Sequence, residues 1–406
     1  MRQQRLGKAK VIGLVLITYV FAKFQGGFAS WFLFYSSLVF FVYELLVYFL
    51  MFSTLEVERR LDRNRLQEGD EVIVTVRLRR KIWFPFGWNM VVDRLPDRLI
   101  GVYEPHRQLL FPWFRREVEF RYAIPQLPRG HYKLAECVIS GGDFFGFIER
   151  QKVFRLSDEF LVYPSYQVLD RWALGDGSLS GTIHVANRYS DDVAAVRGVR
   201  EYTRGDRLSQ IHWRASARGT GLKTKEFEHQ AMNHTVCFLD VEKRSYPAQE
   251  PQLFELAVRV TASLIAFANR NQYHYGFVCN QAERIAFSPA LSHAHFLRVF
   301  DQLARVMPEG AEPFSRVLGR EGLEQANGVT LMVITPRLDK EVVSKLIALA
   351  QKGKRVQLFH IQGTSTGSPT AIAEQTRALH LLAANKVLCT PIQSEDCSEW
   401  KQLGGA

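Results

Sequence analysis

The chain has 406 residues, and its 52 Lys and Arg against 41 Asp and Glu give a formal net charge of +11. This length is enough for two or three domains. The basic balance fits nucleic acid, anionic lipid or an acidic protein partner. Five cysteines without C-x-x-C spacing argue against a disulfide framework and against a zinc site, and they indicate a reducing compartment.

Two apolar runs open the chain, a short one over residues 11–22 and a longer one over residues 28–52. The second run is long enough to cross a bilayer. The first spans only if Lys23 snorkels or the bilayer thins locally. A signal peptide is the rival interpretation, but the second run follows at once and no good small-residue cleavage site is present. Residues 1–54 are therefore predicted to form a transmembrane hairpin.

Positive residues flank the predicted hairpin on both sides, whereas its turn carries only Lys23. Because positive side chains favour cytoplasmic loops, both termini and the soluble domains are expected in the cytoplasm. Glu44 lies inside the second run, and a structural role is favoured over transport because one carboxylate makes no pathway. The flanking positive residues are Arg2, Arg5, Lys8, Lys10, Arg59, Arg60, Arg63 and Arg65.

Residues 55–168 show short runs in which apolar and polar side chains alternate, separated by breaks that contain glycine or proline. Short strands at this spacing predict an all-β, immunoglobulin-like sandwich. Two aromatic-rich stretches, residues 82–88 and 109–114, lie in this domain. They have two interpretations: a surface that faces a partner or the membrane, or core residues with loops that dip into the headgroup region.

Residues 235–406 alternate continuous apolar runs with amphipathic helical segments. This pattern predicts a doubly wound α/β domain, with any ligand site at the carboxyl ends of its parallel strands. The strands are predicted at residues 235–241, 273–280, 328–335, 356–363 and 387–390, and the helices at residues 252–271, 294–306, 340–353 and 370–385.

The segment 169–234 is predicted to be a linker with a basic, arginine-rich stretch over residues 200–228, REYTRGDRLSQIHWRASARGTGLKTKEFE, called the signature below. A turn at Gly205-Asp206 and a short helix over residues 211–217 are predicted within it. Planar arginine forks suit carboxylates, phosphates or buried ion pairs. The candidate site residues are Arg200, Glu201, Tyr202, Gly205, Asp206, His212, Trp213, Ser216, Arg218, Glu226 and Glu228.

The signature resembles that of the bacterial family called domain of unknown function 58, and the match includes Ile211, Ala217, Leu222 and Phe227. The resemblance covers the whole chain. It implies a bacterial cell-membrane hairpin, a β-rich middle and a von Willebrand factor A-like C-terminal domain. It also implies protein partners, namely a MoxR-type AAA+ ATPase and a transglutaminase-like membrane protein.

A von Willebrand factor A domain holds a divalent metal such as magnesium through Asp-x-Ser-x-Ser after its first strand, because oxygen ligands suit a hard cation. Here Asp240 is present, but Glu242 and Arg244 replace the serines, and Lys243 adds positive charge. The resemblance is therefore to a degenerate site. Asp240 is expected to cap a loop or pair with an arginine, and no cofactor is expected.

The favoured function is a non-enzymatic, membrane-anchored cytoplasmic scaffold, an adaptor for a MoxR-type ATPase in the assembly or maturation of envelope-associated proteins. The signature would then be an ion-pair junction or a docking surface. The alternative is a hydrolase-like enzyme in which Arg200, Asp206, His212, Trp213 and Arg218 converge on an anionic substrate. Ser216 is a weak nucleophile candidate because no carboxylate orienter can be named. Nucleic-acid binding is not expected, because no recognisable module is present.

Overall fold

The computed structural model describes residues 2–84, 86–96, 98–100, 103–104, 106–169, 171–172, 195–203, 211–218, 221–228, 234–281, 284–326, 328–363, 369–393 and 402–403. The chain divides into two compact units, Met1–Ser165 and Tyr166–Ala406, called unit 1 and unit 2 below. The chain is thus multidomain, and the finer boundaries at residues 54, 168 and 234 stay predictions.

Two helices open unit 1, α1 (Arg2–Gln25) and α2 (Gly27–Ser53). They are joined at Gly26, whose φ of 63° lies in the left-handed region that favours glycine. The helices pack against each other, and the hydroxyl groups of Thr18 and Ser37 lie 2.7 Å apart across the contact. The hairpin predicted from the two apolar runs is therefore present as a helical pair.

One seam of α2 is buried, and Ser30, Ser37 and Glu44 recur along it every seven residues. Small residues such as serine allow two helices to approach closely. Glu44 is buried on this seam, and neither of its carboxyl oxygens has a hydrogen-bond partner in the described part of the chain. The carboxyl group therefore faces protein, and its structural role stays a prediction.

The last two turns of α2 belong to the core of the β-rich part of unit 1. Val47, Met51 and Phe52 are buried in one cluster with side chains from both β-sheets. These residues come directly before the first strand. The two ends of the apolar run of α2 therefore have different surroundings. Its end packs against strands, while its beginning exposes large apolar side chains such as Phe28 and Phe32.

Two arginines from the strands hold the C-terminal end of α2. Arg80 Nη1 donates to the carbonyl oxygen of Met51 at 3.2 Å, and Arg150 Nη1 donates to that of Tyr48. The last carbonyl groups of a helix have no partner within the helix, and cations are favourable beside them. Arg80 also stacks over the Phe86 ring at 3.8 Å, and burial lowers its pKa to about 10, so it stays charged at neutral pH.

Two β-sheets share the core of unit 1. A three-stranded sheet has the order β1-β3-β6, and a five-stranded sheet has the order β2-β8-β7-β4-β5. Neighbouring strands are antiparallel except for the parallel pair β2–β8. The alternating pattern over residues 55–168 thus correctly predicted strands. Their bounds are β1 Leu55–Leu61, β2 Arg65–Gln67, β3 Val72–Arg80, β4 Trp88–Asp93, β5 Arg107–Leu110, β6 Glu117–Ile124, β7 Gly130–Gly142 and β8 Glu149–Tyr163.

A buried ion pair joins the two sheets. Arg59 of β1 contacts the Asp93 carboxylate of β4, and the Tyr122 hydroxyl of β6 donates to the same carboxylate at 2.6 Å. Burial raises the pKa of Asp93, while Arg59 and Tyr122 act in the opposite direction. The positive-charge pattern placed Arg59 among the residues that flank the membrane. Arg59 does follow α2, but its guanidinium lies in the core, and the orientation of the hairpin stays a prediction.

Unit 2 contains a six-stranded sheet with the order β14-β13-β12-β15-β16-β17, in which only the edge pair β13–β14 is antiparallel. All predicted strands and helices of residues 235–406 are confirmed within three residues, but β14, β18 and α6 were not predicted. The strands are β9 Arg171–Trp172, β10 Ala195–Glu201, β11 Lys223–Glu228, β12 His234–Leu239, β13 His274–Cys279, β14 Ile285–Ala290, β15 Thr330–Thr335, β16 Arg355–Gln362, β17 Leu388–Gln393 and β18 Gln402–Leu403. The helices are α3 Trp213–Ser216, α4 Pro251–Arg270, α5 His293–Arg305, α6 Phe314–Glu324, α7 Lys340–Gln351 and α8 Pro369–Ala384.

Among the described helices, α2 and α4 are long and apolar enough to cross a membrane. They differ in burial: α4 is mostly buried beside the sheet of unit 2, whereas α2 is mostly exposed. Helix α4 is therefore a core helix, and α2 is the clear membrane candidate. A second span in α1 stays a prediction.

The end of α2 is packed in the core of unit 1. Substitution of two phenylalanines in its last turns is therefore predicted to change the free energy of unfolding unequally. Phe52 is 5% exposed and Phe49 is 61% exposed. We expect Phe52→Ala to lower the free energy of unfolding by about 3–5 kcal/mol, because it leaves a cavity in the core. Phe49→Ala, the matched control, should change it by less than about 1 kcal/mol. Urea unfolding of the detergent-solubilised chain, followed by near-UV circular dichroism, measures both; equal effects would contradict the embedding.

Candidate functional site

The signature is built on an antiparallel pair of strands, β10 and β11, with the short helix α3 in the segment between them. Arg200 lies opposite Thr224 and Glu201 opposite Lys223, and the register shifts between Val196 and Gly198. The sequence pattern missed both strands because β11 is mostly charged and β10 lacks a strict alternation of apolar and polar residues. The predicted helix over residues 211–217 is present but shorter.

Two polar side chains of the signature hold its turn together. His212 caps α3, since its Nδ1 accepts from the backbone N–H of Ala215 at 3.1 Å. The Ser216 hydroxyl donates to the carbonyl oxygen of His212 at 3.1 Å and accepts from the backbone N–H of Lys223 at 2.8 Å. Each side chain is therefore engaged with backbone, and Ser216 does not point at the His212 ring as a nucleophile would point at its base.

The inner side of the turn is apolar and tightly held. Ile211 and Thr224 are buried and form a bridge between their backbones. The backbone N–H of His212 donates to the carbonyl oxygen of Lys223 at 2.8 Å, and that of Tyr202 donates to Leu222 at 2.9 Å. These hydrogen bonds hold the segment of α3 against β11. The side of α3 that faces away from β11 stays uncovered.

The segment that contains α3 exposes an aromatic ring and two positive side chains that lie close to it in sequence. Trp213 is 66% exposed, and Arg214 and Arg218 are exposed as well. Neither arginine forms an ion pair with any residue that the structure describes. Arg200 is bound locally, since its Nη1 donates to the Glu201 carbonyl oxygen at 3.2 Å and to the Thr203 hydroxyl at 3.1 Å.

Four of the candidate residues cannot be placed against this face. Gly205 and Asp206 lie outside the described residues, and for Glu226 and Glu228 only the backbone position in β11 is described. The ion-pair junction and the converging anionic-substrate pocket both depend on these residues, so both stay predictions.

A second candidate location is the carboxyl edge of the unit 2 sheet, where Asp240 follows β12 and the strand order reverses between β12 and β15. Ligands of open α/β sheets bind at such a point. One Asp240 carboxyl oxygen accepts from the Thr335 hydroxyl at 2.8 Å, and the other accepts from the backbone N–H of Glu242 at 2.9 Å. Burial raises the pKa of Asp240 to about 6.

The donors around Asp240 do not fit a divalent metal, which takes six or more oxygen ligands. Both Asp240 oxygens already accept hydrogen bonds. Glu242 accepts from the backbone N–H of Phe314 at 3.1 Å, and its other oxygen lies 3.9 Å from Arg337 Nη1. Across the described ranges, no group of three or more His, Cys, Asp or Glu side chains is close enough to hold a metal. The expectation of no cofactor stays a prediction.

A cleft of about 550 Å³ opens near the end of β13 and the start of α6, and no signature residue lines it. Arg284 pairs with Glu321 at 3.0 Å, and Arg320 pairs with Glu312 at 3.0 Å. Arg316 is exposed and forms no ion pair within the described segments. Sequence reasoning missed these arginines because α6 was not predicted; the i, i+4 spacing of Arg316 and Arg320 is the signal that marks them.

The raised pKa of Asp240 predicts a pH-dependent stability. A carboxyl group whose folded pKa exceeds its unfolded value stabilises the fold at low pH, and this contribution is lost as pH rises from about 4 to about 6. Asp240→Asn keeps the size of the side chain and removes the charge. Relative to the native chain, we expect the variant to gain up to ~3 kcal/mol of stability across this window and nothing further above it.

Thermal unfolding of both proteins at several pH values, with and without magnesium, measures this difference. A difference that does not change with pH would contradict the buried carboxyl account. Stabilisation of the native chain alone by magnesium would show that Asp240 holds a metal after all, because a ligand that binds only the folded state stabilises it.

Comparisons with known proteins agree with the signature. Residues 198–361 match the family described as "Protein of unknown function DUF58". The uncharacterized protein YeaD of Bacillus subtilis (strain 168) is 34% identical over 349 residues, which cover 82% of this chain and 84% of YeaD.

Solved structures give weaker likenesses. The C-terminal domain of Wzt has a TM-score of 0.19 at 13% identity and covers 28% of this chain and 75% of that one. Cwp6 from Clostridium difficile has a TM-score of 0.18 at 12% identity, over 85% of this chain and 38% of that one. Scores this low do not establish a shared fold. The long match to YeaD, together with the match across the signature, shows that the chain belongs to the DUF58 family.

Proposed function

We propose that this protein is a membrane-anchored cytoplasmic adaptor that docks a protein partner through the outer face of α3. The observation that carries the proposal is the exposed Trp213 ring beside Arg214 and Arg218, two exposed cations without an ion pair in the described part of unit 2. Tryptophan and arginine dominate the binding energy of protein interfaces.

The rigidity of the turn supports docking further. The His212 cap and the Ser216 hydrogen bonds hold α3 in one geometry before any partner arrives. A preorganised surface loses less conformational entropy on association, so more of its contact energy appears as affinity. The positive charge of Arg214 and Arg218 favours an acidic patch on the partner.

For the partner, we infer a MoxR-type AAA+ ATPase, with a transglutaminase-like membrane protein as a further component. The support is the family resemblance together with a basic face that suits an acidic partner. The process would be the assembly or maturation of envelope-associated proteins. In this proposal the β-rich part is an immunoglobulin-like sandwich, and unit 2 is a von Willebrand factor A-like domain without a metal.

The anchor in this proposal is the α1–α2 hairpin, with two spans and both termini in the cytoplasm. The exposed apolar face of α2 supports the insertion, and the sparse positive charge of the turn supports the orientation. The docking face of unit 2 would then lie on the cytoplasmic side of the bacterial cell membrane, where an ATPase has access to ATP.

The docking proposal predicts that Trp213→Ala combined with Arg218→Ala removes the partner. We expect crosslinking in membranes, followed by purification of the tagged chain, to recover an AAA+ ATPase in an ATP-dependent manner. Recovery should fall by roughly tenfold or more in the double variant, because each hot-spot residue contributes about 2 kcal/mol.

A matched control is Leu323→Ala with Arg316→Ala, which removes an exposed apolar residue and an unpaired arginine from α6 in the same unit. This variant should recover the native amount of ATPase. If the Trp213 and Arg218 variant stays folded and recovers the same proteins as the native chain, α3 is not the docking surface, and the hydrolase-like alternative takes its place.

A further inference from the structure

Three loops at the α2 end of unit 1 expose large aromatic side chains. They are the β3–β4, β5–β6 and β7–β8 connections, and their exposed rings are called the aromatic rim below. Scattered surface aromatics need no explanation, but a cluster from three separate loops marks an interaction surface. The rim consists of Trp83, Phe111, Trp113, Phe114, Phe144 and Phe145.

Direct ring contacts join the three loops of the rim. Trp83 of the β3–β4 loop and Phe114 of the β5–β6 loop have ring centroids 4.7 Å apart. Trp113 of the β5–β6 loop and Phe144 of the β7–β8 loop are 5.4 Å apart. The rim is therefore one connected surface that spans both β-sheets of unit 1.

The rim is continuous with the apolar face of α2. Phe145 meets Phe40 of α2 at 4.9 Å, and Phe84 stacks on Tyr43 of α2 at 5.9 Å. From this level towards the hairpin turn, α2 exposes apolar residues such as Val39. A single apolar surface thus passes from the helix onto the loops.

The backbone holds the rim in a fixed and partly strained shape. Trp113 has a φ of 47°, in the left-handed region that non-glycine residues rarely adopt. A Cβ atom at Gly87 would lie 2.3 Å from the carbonyl oxygen of Gly142, so only glycine lets these two loops approach. Strained positions persist where the surrounding structure fixes them, and they cluster at functional sites.

Positive charge accompanies the rim. Arg115 and Arg116 are exposed in the same loop as Trp113, and Lys81, in the loop of Trp83, is exposed but pairs with Glu56 at 2.9 Å. Tryptophan is favoured at the boundary between bilayer and water, and lysine and arginine near that boundary attract anionic headgroups. Apolar rings beside cations match the chemistry of the headgroup region of an anionic bilayer.

We propose that the aromatic rim sits in the headgroup region of the membrane and sets how deeply the hairpin inserts. The proposal rests on the membrane anchor of the proposed function and adds the depth and the occupant of the rim. The bilayer surface then lies at the level of Phe40 and Tyr43. Beyond it, the end of α2 leaves the bilayer and enters the β core.

The proposed depth of insertion divides α2 into a part within the bilayer and a part within the core of unit 1. From Gly27 to Tyr43 the helix rises about 24 Å, at about 1.5 Å per residue. That is somewhat less than the hydrocarbon core of about 30 Å, and a short hydrophobic segment is accommodated by local thinning of the bilayer. The remaining apolar residues of the 27-residue helix are those that pack in the core of unit 1.

Nitroxide labels on the full-length chain test the proposal in vesicles of phosphatidylcholine and phosphatidylglycerol. Trp83→Cys and Phe144→Cys place labels on two loops of the rim, and Phe32→Cys places one on the exposed face of α2. Asn64→Cys is the matched control, in the exposed β1–β2 turn at the opposite end of the strands. Cys389 and Cys397 are changed to serine, and the other three cysteines are buried.

The readout is the collision of each label with oxygen, which concentrates in lipid, and with a water-soluble nickel complex, which lipid excludes. We expect both rim labels to be accessible to oxygen and to lose nickel accessibility relative to the Asn64 label. Rim labels as open to nickel as the Asn64 label, beside a shielded Phe32 label, overturn the rim proposal alone.

Two other outcomes are informative. Rim labels shielded from both oxygen and nickel show that protein, such as a second copy, covers the rim instead of lipid, which also overturns the proposal. A Phe32 label open to nickel shows that α2 is not inserted, and this overturns the membrane anchor itself.

Discussion

The continuity of α2 with the β core is the constraint on which the structure of unit 1 depends. Met51 and Phe52 are core residues of the strands, and the arginines Arg80 and Arg150 hold the carbonyl end of the helix. A helix joined through a flexible linker would let the strands tumble beneath the membrane. A helix whose last turns lie in the core transmits its own orientation to every loop of unit 1 instead.

The packing of the end of α2 in the β core bears on two further features of the helix, its length and the position of Glu44. The apolar run of α2 continues beyond its exposed part because its end serves as core. Glu44 lies on the buried seam of this run, near the level at which the helix meets the loops. The signature in unit 2 shows a comparable arrangement. Hydrogen bonds between the backbone and the side chains of His212 and Ser216 fix the turn that carries Trp213.

Much of the fold could be predicted from the sequence, for physical reasons that also explain the failures. Continuous apolar runs such as residues 328–335 identify buried parallel strands, because such strands are covered on both faces. The edge strand β14 is half exposed and lacks this pattern. Strand β11 is mostly charged and β10 has no strict alternation of apolar and polar residues, so no pattern marks them. The buried ion pair of Arg59 with Asp93 could not be predicted, because charge patterning in a sequence does not show which side chains meet in the core.

The candidate site could be located from the sequence, but the roles of its individual residues could not be predicted. The signature residues were recognised as a set, yet which of them face outward depends on the backbone. His212 and Ser216, the pair that invited a catalytic interpretation, are used to build the turn. Trp213 is the one tryptophan of the signature, and the structure adds that its ring is exposed. The unpaired Arg316 lies on a helix that the sequence pattern did not reveal.

Hydrogen exchange of the native chain in lipid nanodiscs tests the central claim most directly. The backbone amides of residues 47–52 are compared with those of β3, whose side chains share their core. If the end of α2 is part of the core, its amides should exchange as slowly as those of β3, because both open only when unit 1 unfolds. Exchange in residues 47–52 at the much faster rate of a fraying helix end, with β3 still protected, would contradict the account.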